Sequence, residues 1–170
     1  MTDSDKLVIR PLTIFEVPAI LEFRLRYDYV TPFANIVENK KDSLLYTILK
    51  MFWHRKRMLT LVAVRENQIV GYITMIFGKQ KSFQGNAYLV SAAVDGVERG
   101  KGVGTRLFNE IESYALSRGT RRIEFDVFAS NVDALRLYER LGYEVEGRKR
   151  RVVESQNGYD DIIFMAKFLK

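Results

Sequence analysis

Arg99-Gly100-Lys101-Gly102-Val103-Gly104-Thr105 is the stretch best suited to chemistry, because glycine alternates with other residues, two cations are interleaved, and a helical pattern begins at Val103. Glycine has no Cβ, so a backbone N–H there can approach an anion that an ordinary side chain would hold off. The first N–H groups of a helix have no intrahelical acceptor, and the macrodipole places about half a positive charge at that end. Both effects favour a pyrophosphate, and Arg99 and Lys101 add full charges. A tight strand-to-helix connection uses the same spacing, and on the loop alone that alternative stays open. The Walker loop fits poorly, since Gly96 stands too close to Gly100 and a glycine follows Lys101 where Ser or Thr is needed. The dinucleotide fingerprint also fails, because its third glycine falls one residue later than Gly104 does, although Glu124 stands near the distance of a ribose carboxylate.

The elements that must carry this loop follow from periodicity. Lys6 to Leu12 alternates as a first strand closed by Pro11, and Thr13 with Glu16 makes a capping box for a helix to about Tyr29. Thr31-Pro32 breaks that helix, and a second is expected from about Lys41 to Arg55. Strands at Leu59 to Val64 and Ile69 to Phe77 form a hairpin around Glu66-Asn67-Gln68. After a turn-rich segment from Gly78 to Gly85, the strand Ala87 to Val94 feeds the glycine loop. A helix over Val103 to Arg118 ends at Gly119, and Arg122 to Phe128 returns as a strand parallel to Ala87–Val94, as a strand-helix crossover requires. Asn131 caps a short helix ended by Gly142, and strands from Tyr143 to Val153 and Tyr159 to Phe168 pair around Asn157-Gly158. The expected fold is α/β (α+β): a mixed, mostly antiparallel twisted sheet of about seven strands with helices on both faces.

With 170 residues, 47% of them apolar and 28% charged, the chain is expected to be a single domain, 1–170, soluble and cytoplasmic. No apolar run approaches a membrane span, and Met1-Thr2-Asp3-Ser4-Asp5-Lys6 is no signal peptide. The absence of cysteine excludes disulfide and thiolate chemistry, and the one histidine, His54, cannot build a metal site alone and is expected at the surface. The net charge of +6, with runs at Arg55-Lys56-Arg57 and Arg148-Lys149-Arg150-Arg151, favours anionic partners. No nucleic-acid motif accompanies it, so nucleic acid is not the expected partner.

Within this order of elements, Val94 to Tyr143 resembles a GCN5-related N-acetyltransferase. That family's signature stands here as Arg99-Gly100-Lys101-Gly102-Val103-Gly104, and its second signature as Asn131, Ala134, Leu137-Tyr138-Glu139 and Leu141-Gly142-Tyr143. The resemblance implies acetyl-CoA as cosubstrate, with no metal and with its pyrophosphate on Arg99 to Thr105. Its pantetheine is expected between the strand ending at Val94 and the strand ending near Phe128, bonding main-chain groups at Ala92, Ala93 and Val94, with Asn131 and Tyr138 nearby. Small residues there also suit close packing under a helix. The acceptor implied is an amine, on a protein or peptide or on a small molecule, and a homodimer is compatible with the family. Arg150 to Met165 resembles ribosomal-protein N-terminal acetyltransferases, but Val152-Val153 replaces their paired tyrosines. A non-catalytic acetyl-CoA-binding module is the competing reading, against which an intact Tyr138 speaks.

Acetyl transfer to an amine needs a neutral nitrogen, a stabilised oxyanion and a protonated leaving thiolate. Tyr138 is the candidate acid, since a phenol can donate to a thiolate of comparable basicity. Packing in the core with a backbone-bonded hydroxyl is its structural alternative. Asp126 is the candidate base: Glu124, Asp126 and Phe128 share one strand face, and related N-terminal acetyltransferases carry a proposed glutamate at the matching distance before the tyrosine. An ion pair with Arg122 or Arg148 is the alternative for Asp126. The oxyanion donor is expected to be backbone, such as the N–H of Val94.

Overall fold

The computed structural model describes residues 6–26, 57–78, 85–155 and 158–170. The expected helix at Lys41 to Arg55, His54, most of the turn-rich segment and Asn157 of the last turn lie outside the described residues. In chain order the elements are β1 (Val8–Pro11), a 3-10 turn (Ile14–Glu16), α1 (Val17–Arg26), β2 (Met58–Arg65), β3 (Gln68–Phe77) and β4 (Asn86–Val94). A second 3-10 turn (Gly96–Glu98) leads to α2 (Val103–Ser117), β5 (Arg122–Phe128), α3 (Val132–Arg140), β6 (Glu144–Ser155) and β7 (Gly158–Phe168).

All seven strands share one sheet in the order β1-β2-β3-β4-β5-β7-β6. Neighbours are antiparallel except β4 and β5, which the α2 crossover forces to run parallel. The β2–β3 hairpin turns on Glu66 and Asn67, both left-handed at φ 50° and 61°, as a two-residue turn matching strand twist demands.

Pro18 stands in the first turn of α1, where its missing N–H leaves no bond unmade. Upstream the chain makes a 3-10 turn instead of the continuous helix expected from Thr13. There the Thr13 N–H and hydroxyl donate to Glu16 Oε2 at 3.0 and 2.7 Å, and Arg10 donates to both Glu16 oxygens at 2.8 and 2.6 Å. The Thr13–Glu16 capping motif is therefore present, locked from the strand side by an arginine.

Alternation along each strand divides the core into two layers. Ile73, Met75, Ile123, Phe125 and Met165 face α2, whose Leu107, Phe108 and Ile111 are buried. Val62 and Tyr72 point the other way and take Ile20 and Phe23 of α1. Ile111 has no exposed surface, so its truncation to alanine removes contacts worth about 2–5 kcal/mol. Helices thus cover both faces, with α3 on the α2 side through Leu135, Tyr138 and Leu141. Among the described residues, no helix is long and apolar enough to cross a membrane.

Candidate active site

β4 and β5 pair only at their feet, through Asn86↔Arg122, Ala87↔Ile123 and Tyr88↔Glu124. On its other edge β4 stays paired to β3 as far as Val94↔Gly71. The two strands therefore diverge inside the sheet. The cause lies at Val90: Thr74 pairs with Ser91 and Met75 with Leu89, leaving Val90 as an extra residue. Such a bulge bends its strand and raises its twist. Beyond it Val90 to Val94 are all part-exposed, although they belong to a central strand. An amide-bearing arm laid in this slot can bond the backbone groups that no neighbouring strand takes.

The glycine loop closes the wide end of the slot. Gly100 and Gly102 lie at φ 75° and 80°, where L side chains are strained, and no atom comes within 4 Å of a Cβ built on either. Their open side is a concavity of backbone that an anion fits. Val103, Gly104 and Thr105 follow as the first turn of α2, where backbone N–H groups have no intrahelical acceptor. Gly104 also lies at a close helix contact. A Cβ there would meet Leu137 Cδ2 at 3.2 Å, so this glycine lets α2 and α3 pack closely. Gly71, which sequence reasoning passed over, does similar work: a Cβ would meet the Ala93 carbonyl oxygen at 3.0 Å and Val103 Cγ1 at 3.4 Å. It allows the start of α2 to sit against the end of β4.

Tyr138 projects from α3 into the aromatic cluster beneath the slot, with its ring centroid 5.3 Å from Phe108 and 4.5 Å from Phe125. Its ring packs in the core, as the structural alternative requires. Desolvation pushes the phenol up to about 12. Asn131 caps α3 by accepting the Ala134 N–H at 3.3 Å. Tyr143 lies beside Tyr138 with its own ionisation pushed upward, by burial first and then by Glu112.

Asp126 stands on the opposite face of β5, toward the α1 layer, half-buried with Glu124 and Phe128. Burial raises its pKa; its own backbone N–H and the nearby Lys149 act the other way. The arginines considered as its partners are engaged elsewhere. Arg122 binds Glu124 at 3.1 Å and Glu146 at 2.6 Å, and Arg148 binds Asp161 at 2.6 Å. Tyr138 and Asp126 thus flank the open half of β5 from opposite sides of the sheet. Ser91 joins the Asp126 side, its Oγ 2.7 Å from the Tyr72 hydroxyl.

Glu98 was also missed by sequence reasoning. It is the buried charged side chain among the described residues: Lys101 donates to its Oε1 at 3.2 Å, and Arg65 lies 3.3 Å from its Oε2 as an ion pair without a hydrogen bond. The available signal was an acid three residues before a lysine at a helix entrance. Among the described residues no cluster of His, Cys, Asp or Glu suits a metal ion.

A parallel-strand slot, a glycine turn at a helix start and a tyrosine helix beneath them define an acyl-transfer scaffold. The family model for the Acetyltransferase (GNAT) family matches residues 22–143, and the chain belongs to that family. It is therefore an N-acetyltransferase by class. An uncharacterised N-acetyltransferase of Methanocaldococcus jannaschii is 28% identical over 164 residues, 95% of this chain and 92% of that one. The L-amino acid N-acetyltransferase of Escherichia coli is 30% identical over 108 residues, 63% of this chain and 66% of its own. A Salmonella typhimurium protein solved with its cofactor acetyl-CoA superposes with a TM-score of 0.80 at 19% identity, covering 96% of this chain and 94% of that one.

Proposed function

We propose that the protein transfers the acetyl group of acetyl-CoA to a primary amine by direct attack of the amine on the thioester. The observation that carries this reading is the short β4–β5 pairing, which leaves a slot with Tyr138 on one side of the sheet and Asp126 on the other. Arg99 to Thr105 would hold the pyrophosphate, chiefly through backbone N–H groups. Main-chain groups of Ala92, Ala93 and Val94 would bond the pantetheine amides, and the Val94 N–H would face the developing oxyanion.

Asp126 takes a proton from the acceptor ammonium, directly or through one water, and the neutral nitrogen attacks the carbonyl carbon. A raised carboxylate pKa makes Asp126 a stronger base than a solvated aspartate. As the C–S bond breaks, Tyr138 gives its proton to the departing thiolate, and the second proton of the attacking nitrogen passes to the tyrosinate, directly or through water, leaving an amide, free CoA and a neutral Tyr138. The acceptor class, a primary amine, includes protein N-termini, lysines and small amines. The amino-acid substrate in the Escherichia coli relative's name belongs to the last group.

A CoA-release assay over peptides, amino acids, polyamines and aminoglycosides tests this. CoA release that requires both acetyl-CoA and an amine is expected. Tight acetyl-CoA binding with no amine-dependent release from any acceptor would instead indicate a binding module.

A further inference from the structure

We propose that Glu98 is a positioning residue for the acetyl donor: its buried carboxylate holds the glycine loop in its anion-accepting shape, with Lys101 as its counter-ion and Arg65 as its anchor. This role presupposes the acetyl-CoA site proposed above. Lys101 had been expected to lend its charge to a phosphate, as an exposed cation beside the cradle. Its Nζ lies 3.2 Å from Glu98 Oε1, while Arg65, at the end of β2, stands 3.3 Å from Glu98 Oε2. A charge with 7% exposure is costly to bury unless it is paired, and here the pairing comes from two separate elements.

The backbone around Glu98 is arranged to the same end. The Glu98 N–H donates to the Asp95 carbonyl at 2.9 Å, and the Asp95 carboxylate accepts the Val97 N–H at 3.1 Å. The Asp95 N–H in turn donates to Val70 of β3 at 2.9 Å. Glu98 thus ends the 3-10 turn that leads to Gly100 and Gly102, whose positive φ angles leave the loop between them freer to relax than an ordinary turn, with the Lys101 N–H to Glu98 carbonyl contact long at 3.4 Å. Lys101 lies between those two glycines. Gripping it fixes the middle of the cradle, so the loop need not be ordered when the ligand arrives.

A double-mutant cycle on Glu98 and Lys101, read as acetyl-CoA dissociation constants by titration calorimetry, tests the role. Glu98→Gln and Lys101→Gln should each weaken binding about tenfold, and the double variant should bind no more weakly than the worse single one. In Glu98→Gln, turnover at saturating acetyl-CoA should be retained, so the loss falls on KM. Unchanged or tighter binding by a folded Glu98→Gln protein would overturn the proposal. Losses that multiply in the double variant would also overturn it, since they would make Lys101 a direct phosphate ligand. Lys101 is exposed, so its variant should fold. If Glu98→Gln does not fold, Glu98→Asp shortens the reach to Lys101 and completes the same cycle. A wild type that binds acetyl-CoA normally while these variants do too would remove only Glu98's role. A wild type that does not bind it would remove the site reading as well.

Discussion

Tyr138 and Phe125 meet edge to face with ring centroids 4.5 Å apart, an arrangement that seats α3 against the part of β5 that β4 leaves unpaired. The contact orients the phenol without using its hydroxyl. Tyr138→Phe keeps the ring packing and removes the proton donor, so turnover should fall about ten- to a thousand-fold with little change in acetyl-CoA affinity. Steady-state kinetics beside a binding titration checks this. Unchanged turnover, where chemistry limits the rate, would remove Tyr138 from the mechanism.

Gly102 lies at φ 80° with open space where a Cβ would stand. Gly102→Asp introduces strain there and puts a carboxylate within a few ångströms of the proposed pyrophosphate position. Acetyl-CoA should raise the melting temperature of the wild type and not that of the variant. A folded variant stabilised as much as the wild type would mean that the loop is not the phosphate site.

Asp126 must be ionised to act as a base, and burial lifts its pKa above the ordinary 3.8. Activity should therefore fall as pH drops through that raised value, giving kcat/KM an acid limb. Asp126→Asn should lower kcat/KM and abolish the limb. Lys149→Met should move the limb upward, because Lys149 now favours the ionised form. An acid limb that persists unchanged in Asp126→Asn would place the base elsewhere.

Glu16 is held down to about 2 from 4.5, first by its bond to Arg10, against the cost of burial and with help from Thr13. A folded pKa below the unfolded one contributes stability that is present above pH 4.5 and lost as pH falls toward 2. Glu16→Ala should cost about 1 kcal/mol at neutral pH, in the range of a lost cap. Urea unfolding should show the difference from wild type shrinking as pH falls through that window. A gap that stays constant down to the acid end would deny the carboxylate this role.

Acceptor choice should reside in the segments 27–42 and 152–159, which core periodicity explains least, with Asp28, Glu38 and Glu154 able to attract a cationic amine. Exchanging both segments with those of a relative of different specificity should carry the acceptor preference with them. A preference that remains with the Val94–Tyr143 core would refute this assignment.

What the amino-acid sequence determined by itself was local. The glycine alternation at 100–104, the Thr13–Glu16 cap, the Glu66-Asn67 turn and the alternation of β5 each act over a few residues, so residue type and spacing suffice to read them. The tertiary structure decided what depends on distant partners. Alternation counted from Ala87 and Leu89 turns Ser91 and Ala93 toward α2. The Val90 bulge reverses that phase, placing Ser91 on Tyr72 and Ala93 in the α1 layer, and it opens the slot. Gly104 could be recognised as small, but only the fold shows that Leu137 of α3 packs against it. Glu98 and Lys101 look like two more surface charges in the chain. Arg65, more than thirty residues upstream, makes Glu98 a buried one, because a carboxylate leaves water only where folding brings cations to it.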